Sequence, residues 1–166
     1  MAPRQTSEKV PVDRSQSPPA VDDLDRAIIE QLQEDGRRTY TRIGQSVGLS
    51  EAAVRQRVQR MTDSGAMQVV AVTDPMALGF KRMGMIGVRT EGDVTTLAET
   101  LGSWPEVSYV VLTAGSFDVM VEVVVADDSA LLNLLNNKLR KLPGVRSTET
   151  FVYLRLYKQA FTWGAK

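Results

Sequence analysis

Apolar positions fall on two periods along this chain. Over residues 21–66 they recur every three or four places, and from residue 80 onward β-branched runs alternate with further helical stripes. In VDDLDRAIIEQLQEDG, Leu24, Ile28 and Leu32 repeat every four residues and Ile29 widens the stripe. That spacing predicts a helix capped by Asp22, favoured by Asp23 and Asp25 at its positive end, and closed by Gly36. In GRRTYTRIGQSVGLSEAAVRQRVQRMTDSG, Ile43 and Val47 mark a second, shorter helix with Thr41 as its expected N-cap. Gly48 ends it, since glycine takes positive φ without a Cβ clash, Leu49 can plug the corner, and Ser50 can cap the next helix. Val54, Val58 and Met61 then lie on one face of a third helix that Gly65 ends. Two short helices joined by a tight turn have the grammar of a helix-turn-helix, and the first helix holds the other two at their crossing angle.

Beyond Gly65, Val69, Val70 and Val72 predict a short hinge strand before Asp74-Pro75 turns the chain. GFKRMGMIGVRTEG reads as the first strand of a separate domain. Val94, Leu97, Ala98 and Leu101 mark a helix that Trp104-Pro105 ends. VSYVVLT and VMVEVVV are strands separated by AGSFD, short enough for a hairpin. Leu131, Leu134, Leu135, Leu139 and Leu142 mark one more helix, stopped by Pro143-Gly144, and VRSTETFVYLRLY supplies the last strand. The order is βαββαβ. An internal echo supports it: helix, Trp104-Pro105-Glu106-Val107, strand, and again helix, Leu142-Pro143-Gly144-Val145, strand. Two such halves interleave as an antiparallel sheet with both helices on one face. Val107, Tyr109 and Val111 are expected on one side of their strand, Val110 and Leu112 on the other. An apolar second face calls for a cover, and a second copy of the chain is the expected one. The fold class is therefore α+β: a three-helix helix-turn-helix domain over 21–66, a hinge strand and linker over 67–79, and a ferredoxin-like α/β sandwich over 80–158. Residues 1–20 are expected to form a disordered tail and 159–166 a C-terminal tail.

A chain of 166 residues with 43% hydrophobic content can bury one ordinary core or two small ones. Its 20 basic and 20 acidic residues cancel, yet between Gly36 and Gly65 six arginines face only Glu51 and Asp63. Contact with double-stranded DNA is expected there. Ala52, Gln56 and Gln59 point away from the apolar stripe, Arg55 and Arg60 flank them, and Arg57 can lay its stem on the domain while reaching a phosphate. Amides suit the edge of adenine, guanidinium groups suit guanine or phosphate, and a small Ala lets a helix come close. Arg37, Arg38, Thr41 and Ser50, which precede or open the two helices, complete the candidate DNA-binding set. A solvated helix face is the alternative. The sequence holds no Cys and no His, so disulfides, thiolate nucleophiles, imidazole bases and the usual zinc ligands are absent; no metal or cofactor is expected. No apolar run approaches the roughly 18 residues of a membrane span and no apolar signal core opens the chain, so a cytoplasmic protein without a membrane partner is expected. Arg4, Lys9 and Arg14 in the tail either brush DNA or do nothing.

LDRAIIEQLQEDGRRT, GLSEAAVRQRVQRM, DPMALG, AGSFDVMVEV and LPGVRSTETFVYLR, in that order, resemble the Lrp/AsnC (feast/famine) transcriptional regulators over about residues 21 to 158. The resemblance implies DNA binding through the first domain and dimerisation through the sheet of the second, with dimers assembling to tetramers or octamers. It also implies a small-molecule effector, a free amino acid or related metabolite, bound between dimers. The family's effector-loop pattern Gly-x-x-Asp falls on Gly115 and Asp118, with Ser116 and Phe117 between them; Arg140, Thr150 and Phe151 match positions that neighbour the effector site in relatives. Such a loop suits an amino acid, since glycine lets backbone N–H groups approach a carboxylate and aspartate can take an ammonium. The loop alone reads first as a hairpin turn whose Asp caps its own backbone.

Two features depart from the family. Gly44 stands inside a helix where relatives usually carry a small residue such as Ala, at an expected cost of roughly 0.5 to 1 kcal/mol. KQAFTWGAK extends beyond the matched part, and its Trp163 packs on a neighbour or lies in solvent. Two other classes compete. Dimers of βαββαβ chains also host cofactor-free oxygenases and isomerases, which usually need a polar catalytic residue, often His, inside the barrel. A DNA-binding protein whose second domain only dimerises would need no Gly115-to-Asp118 pattern.

Overall fold

Asp22 opens the first helix, α1 (Asp23–Glu34), through a reciprocal cap: its carboxylate accepts the Asp25 N–H at 2.8 Å, and Asp25 accepts the Asp22 N–H at 3.2 Å. The structure, a computed structural model, describes residues 21–159; the expectations for the 1–20 tail and for Trp163 lie outside the described residues. The chain divides into two compact units, one up to Ala71 and one from Val72 to Lys158.

In the first unit, α2 (Tyr40–Val47) and α3 (Glu51–Asp63) follow α1. Thr39, and not Thr41, is the N-cap of α2: its extended backbone precedes the first helical residue and its hydroxyl accepts the Arg42 N–H. Thr41 already lies inside the helix and donates instead to Glu51 Oε2 at 2.6 Å. Gly48 takes φ 73° at the end of α2, and the Ser50 hydroxyl accepts the Ala53 N–H at 3.2 Å to start α3. Ile28, Ile43, Val54, Val58 and Met61 form the core, with Leu32, Val47 and Leu49 packed against it. Leu24 departs from the expected stripe: it is exposed, and Asp25 is buried in its stead.

Gly44 corrects the sequence expectation. A Cβ at that position would stand 2.4 Å from the carbonyl oxygen of Leu49. The Leu49 N–H donates to the Gly44 carbonyl at 2.9 Å, so the corner after α2 folds back onto this glycine. What looks like a weakness in helix propensity is the condition for a tight turn.

The second unit runs β1 (Arg82–Thr90), α4 (Val94–Gly102), β2 (Val107–Leu112), β3 (Val119–Val125), α5 (Asp128–Asn133) and β4 (Val145–Val152). The sheet order is β2-β3-β1-β4, antiparallel throughout. The internal echo is physical: the Val107 N–H closes on the Trp104 carbonyl at 3.1 Å and the Val145 N–H on the Leu142 carbonyl at 3.3 Å. Ile86, Val88, Val119, Val121, Val123 and Val125 point from the sheet into a core completed by Leu97 and Leu101 of α4 and by Leu134 and Leu139. The expected single last helix changes pitch. After α5 a wide π turn spans Leu134–Lys138 and a tight 3₁₀ turn Leu139–Lys141. The Leu139 N–H reaches back to the Leu134 carbonyl, which brings two leucines five places apart onto the buried side.

β2 also differs from strict alternation. Its register against β3 shifts between Val107 and Tyr109, so Val107 lies opposite Val123 and Tyr109 opposite Glu122. The extra residue moves Val107 to the helix-covered face, and Tyr109 and Val111 stay on the other. On that outer face Tyr109, Glu122, Met85 and Phe151 form one row across the four strands. Tyr109 and Phe151 are exposed. Glu122 at the centre accepts from the Tyr153 hydroxyl at 3.0 Å and from Ser108 Oγ at 2.8 Å. The expected hinge strand forms no ladder among the described residues: Val69, Val70 and Val72 are exposed, and no described strand pairs with them. Among the described residues no helix is long and apolar enough to cross a membrane.

Two outcomes follow from this packing. Gly44→Ala should gain helix propensity yet lose about 1 to 3 kcal/mol through the forced overlap with Leu49, so urea unfolding should show a less stable protein; equal or higher stability would remove the close approach as a constraint. Tyr153 is pushed up to about 12, first by burial and then by its hydrogen bond to Glu122. Its neutral form is favoured in the fold, so its stabilising share is present below its ordinary value of 10.0 and is lost as pH rises toward 12. Absorbance titration should show one tyrosine ionising late, and Glu122→Gln should bring it partway back.

Candidate nucleic-acid interface and effector loop

The outward side of α3 is an open surface lined by Ala52, Arg55, Gln56, Gln59, Arg60, Asp63 and Ser64. Val54, Val58 and Met61 hold the opposite side of the same helix in the core, which fixes these residues outward. Gln59 is steadied by a 2.7 Å hydrogen bond to Asp63 one turn on. Arg55 pairs with Glu51 at 2.8 Å and stacks 5.2 Å over the Tyr40 ring. The Thr41 hydroxyl and then Arg55 hold the Glu51 carboxyl below its ordinary value. Ser50 is spent as the cap of α3, and Thr41 is bonded to Glu51 beside it.

Arg57 does not reach outward. Its Nη1 donates to Asp22 Oδ2 at 2.7 Å and to Asp25 Oδ1 at 2.8 Å, and only 23% of its side chain is exposed. These bonds raise the arginine above its ordinary value and lower Asp22 below its own. Arg60 Nη2 meets the other oxygen of Asp25 at 2.5 Å. Arg38 pairs with Glu34 at 2.9 Å and also donates to Gln31. The local excess of positive charge is thus reduced by acids of α1, which a count between Gly36 and Gly65 leaves out. Arg37 and Arg42 are exposed and take part in none of these pairs. Arg42 was not among the residues selected from the sequence; its signal is its place on α2, the first helix of the motif.

The loop Gly115–Asp118 joins β2 to β3. The Thr113 N–H donates to the Asp118 carbonyl at 3.0 Å and the Thr113 hydroxyl to the Phe117 carbonyl at 2.6 Å. Asp118 Oδ2 accepts the Thr90 N–H at 2.8 Å, where β1 slips register against β4. One oxygen of this carboxylate therefore serves the fold. The Phe117 ring lies on Gly87, where a Cβ would come within 2.6 Å of it, and meets Phe151 edge-on at 6.2 Å. Arg89 stacks 5.5 Å over Phe117 and donates to the Ser116 carbonyl at 2.7 Å. Nothing crowds Gly115. Arg140 bonds Thr148 at 3.2 Å and Asn136 at 2.7 Å. Thr148 and Thr150 pair with Val88 and Ile86, whose side chains face the helices, whereas Phe151 pairs with Met85 on the outer face. Within one chain, then, Phe117 and Phe151 come together, and Arg140 and Thr150 lie on the other side of the sheet.

The pattern of a helix-turn-helix followed by this sheet matches known families. The AsnC-type helix-turn-helix domain is matched over residues 21–62 and the Lrp/AsnC ligand binding domain over 84–163. An uncharacterised HTH-type transcriptional regulator of Pyrococcus horikoshii is 33% identical over 146 residues, which cover 87% of this chain and 90% of that one. The chain belongs to the Lrp/AsnC family. Escherichia coli AsnC superposes with a TM-score of 0.75 at 26% identity, over 86% of this chain and 98% of the other. A transcriptional regulator from Neisseria meningitidis, solved as a complex with L-Met, shares the fold with a TM-score of 0.76 at 23% identity, over 87% and 97% of the two chains. This Lrp/AsnC chain is accordingly a transcriptional regulator with a DNA-binding helix-turn-helix and a ligand-binding domain.

The pairing of Arg57 yields a sharp expectation. Arg57→Ala leaves buried Asp25 with one cation fewer, which should cost about 1 to 3 kcal/mol of stability. The slope of DNA affinity against salt should stay that of the parent, because no phosphate contact is lost. A flattened slope in a fully folded variant would return Arg57 to the DNA.

Proposed function

We propose that the chain is a sequence-specific regulator, not an enzyme, whose assembly or DNA affinity responds to a free amino acid or related metabolite. The observation that carries the DNA part is the outward side of α3, where amides, guanidinium groups and a small Ala share one open surface. Ala52, Gln56 and Gln59 take base edges, and Arg60 beside them takes a guanine edge; Arg55, with Arg37 and Arg38 ahead of α2, takes phosphates. The chain acts as a homodimer through the outer face of the sheet, with dimers assembling further, and works in the cytoplasm. A two-fold axis then presents two recognition helices to inverted half-sites.

Support for the effector comes from the Lrp/AsnC ligand-binding domain and from the L-Met held by a protein of the same fold. Gly115, Ser116, Phe117 and Asp118 form the proposed loop, with Arg140, Thr150 and Phe151 as its neighbours. One observation favours the rival reading of a unit that only dimerises: Asp118 already accepts the Thr90 N–H.

Asp118→Asn separates the two. The amide keeps an oxygen for the Thr90 N–H and loses the charge that would hold an ammonium. A thermal-shift screen of free amino acids on the parent identifies the ligand, since binding to the folded state alone raises the melting temperature. Calorimetry with that ligand should show Asp118→Asn binding about tenfold to a hundredfold more weakly, as expected for one charge-assisted hydrogen bond. Dimerisation and DNA binding should persist. Undiminished affinity would sink the site, and a parent that no amino acid stabilises would sink sensing of this class.

A further inference from the structure

The most unusual buried group of the first unit is Asp25, wholly shielded from solvent in a three-helix core too small to hide a charge cheaply. Its two oxygens are fully engaged. Oδ1 accepts from Arg57 at 2.8 Å; Oδ2 accepts from Arg60 at 2.5 Å and from the Asp22 N–H at 3.2 Å. Both cations come from the recognition helix, three residues apart, and both reach back across the fold to α1. One arginine is enough to neutralise the carboxylate's charge, and an apolar residue of similar size in place of the whole cluster could serve the core as well or better.

The two arginines differ in where they end. Arg57 is mostly covered and spends a further bond on Asp22 at 2.7 Å, which makes it the structural counter-ion. Arg60 is 56% exposed and lines the outward surface with Gln56 and Gln59. One nitrogen of its planar guanidinium is fixed by a buried carboxylate, and the exposed remainder of the group lies on the outward surface of α3. We propose that Asp25 is the positioning residue of the recognition surface: it holds the Arg60 guanidinium in one plane, so that the remaining donors meet DNA in a single register. This rests on the DNA reading of α3 given above.

The chemistry separates positioning from bulk charge. As a plain negative charge, Asp25 would only repel phosphates, and its removal would strengthen binding to every sequence alike. As a positioning residue it lowers the ordering cost of Arg60 for the one sequence that fits, so its removal costs discrimination. Lys cannot replace Arg60 in this role, because an ammonium lacks the planar fork that is held on one edge and donates on the other.

The test uses the full chain and duplexes selected by the parent from a random pool. Asp25→Asn should lower the ratio of selected to random affinity about tenfold while random-sequence affinity holds or rises. Arg60→Lys should lower the ratio similarly with the salt slope preserved, and the double variant should fall no further than either single one. In the free parent, side-chain nitrogen relaxation should find the Arg60 guanidinium rigid and that of exposed Arg42 mobile. A purely structural Asp25 would lower the melting temperature and leave the ratio of the folded protein unchanged, which would overturn the proposal. A mobile Arg60 would overturn it whether or not Asp25→Asn folds, as would additive effects in the double variant. If the parent selects no duplex at all, the DNA reading falls and the positioning role with it.

Discussion

A four-stranded sheet has two faces, and the helices of this chain cover one. Alternation along β3 buries Val119, Val121, Val123 and Val125 against α4 and the helix that begins at Asp128. The complementary positions on the outer face carry Met85, Met120, Tyr109 and Phe151, over which the described elements of this unit lay no second layer. Glu122 interrupts that apolar field and is steadied there by Tyr153 and Ser108. A carboxylate tethered in this way tolerates a cover only where its partners stay in place. The outer face is thus selective about the surface it can pair with, and apolar area alone does not describe it.

The first unit solves a smaller version of the same problem. Five buried apolar side chains are a modest core, so fine geometry carries more of the weight. The Gly44–Leu49 approach sets how closely α2 can turn into α3, and the Asp22–Asp25–Arg57–Arg60 cluster ties α3 to the start of α1. Both devices act on the helix that presents Gln56 and Gln59, so the surface proposed for DNA is braced from its turn and from its back.

Much of this was legible in the sequence because the signals are local. Asp22, Gly48 and Ser50 act on backbone groups within a few residues, and the stripe Val54, Val58, Met61 needs only the helical period. The antiparallel sheet with helices on one face followed from the order of runs and from the two Pro-containing turns. What was missed depends on partners far along the chain. Arg57 lies 35 residues from Asp22 and 32 from Asp25, so counting charge within one segment made it look free. Thr39 and Thr41 have the same capping chemistry, and the backbone at residue 40 decides between them. Gly44 reads as a helix weakness until the Leu49 carbonyl is set against it. The slip at Ser108 exists only relative to β3, and the π turn after α5 only relative to the core that Leu134 and Leu139 share.

The residues proposed for the effector would tie sensing to assembly by geometry. Phe117 and Phe151 pack on the outer face, whereas Thr150 and Arg140 lie on the helix side of the same sheet. One small molecule cannot touch both sides of a sheet in a single chain. If these residues serve one ligand, they are supplied by different copies, and the site exists only where chains meet. A ligand bound there favours the assembled state over the separated one by its full binding free energy, because the separated chains offer it nothing comparable. Asp118 fits such a site, since its bond to the Thr90 N–H fixes the loop before any ligand arrives and lowers the ordering cost of binding. The bond that favours a merely structural Asp118 leaves its other oxygen available to a site built between chains.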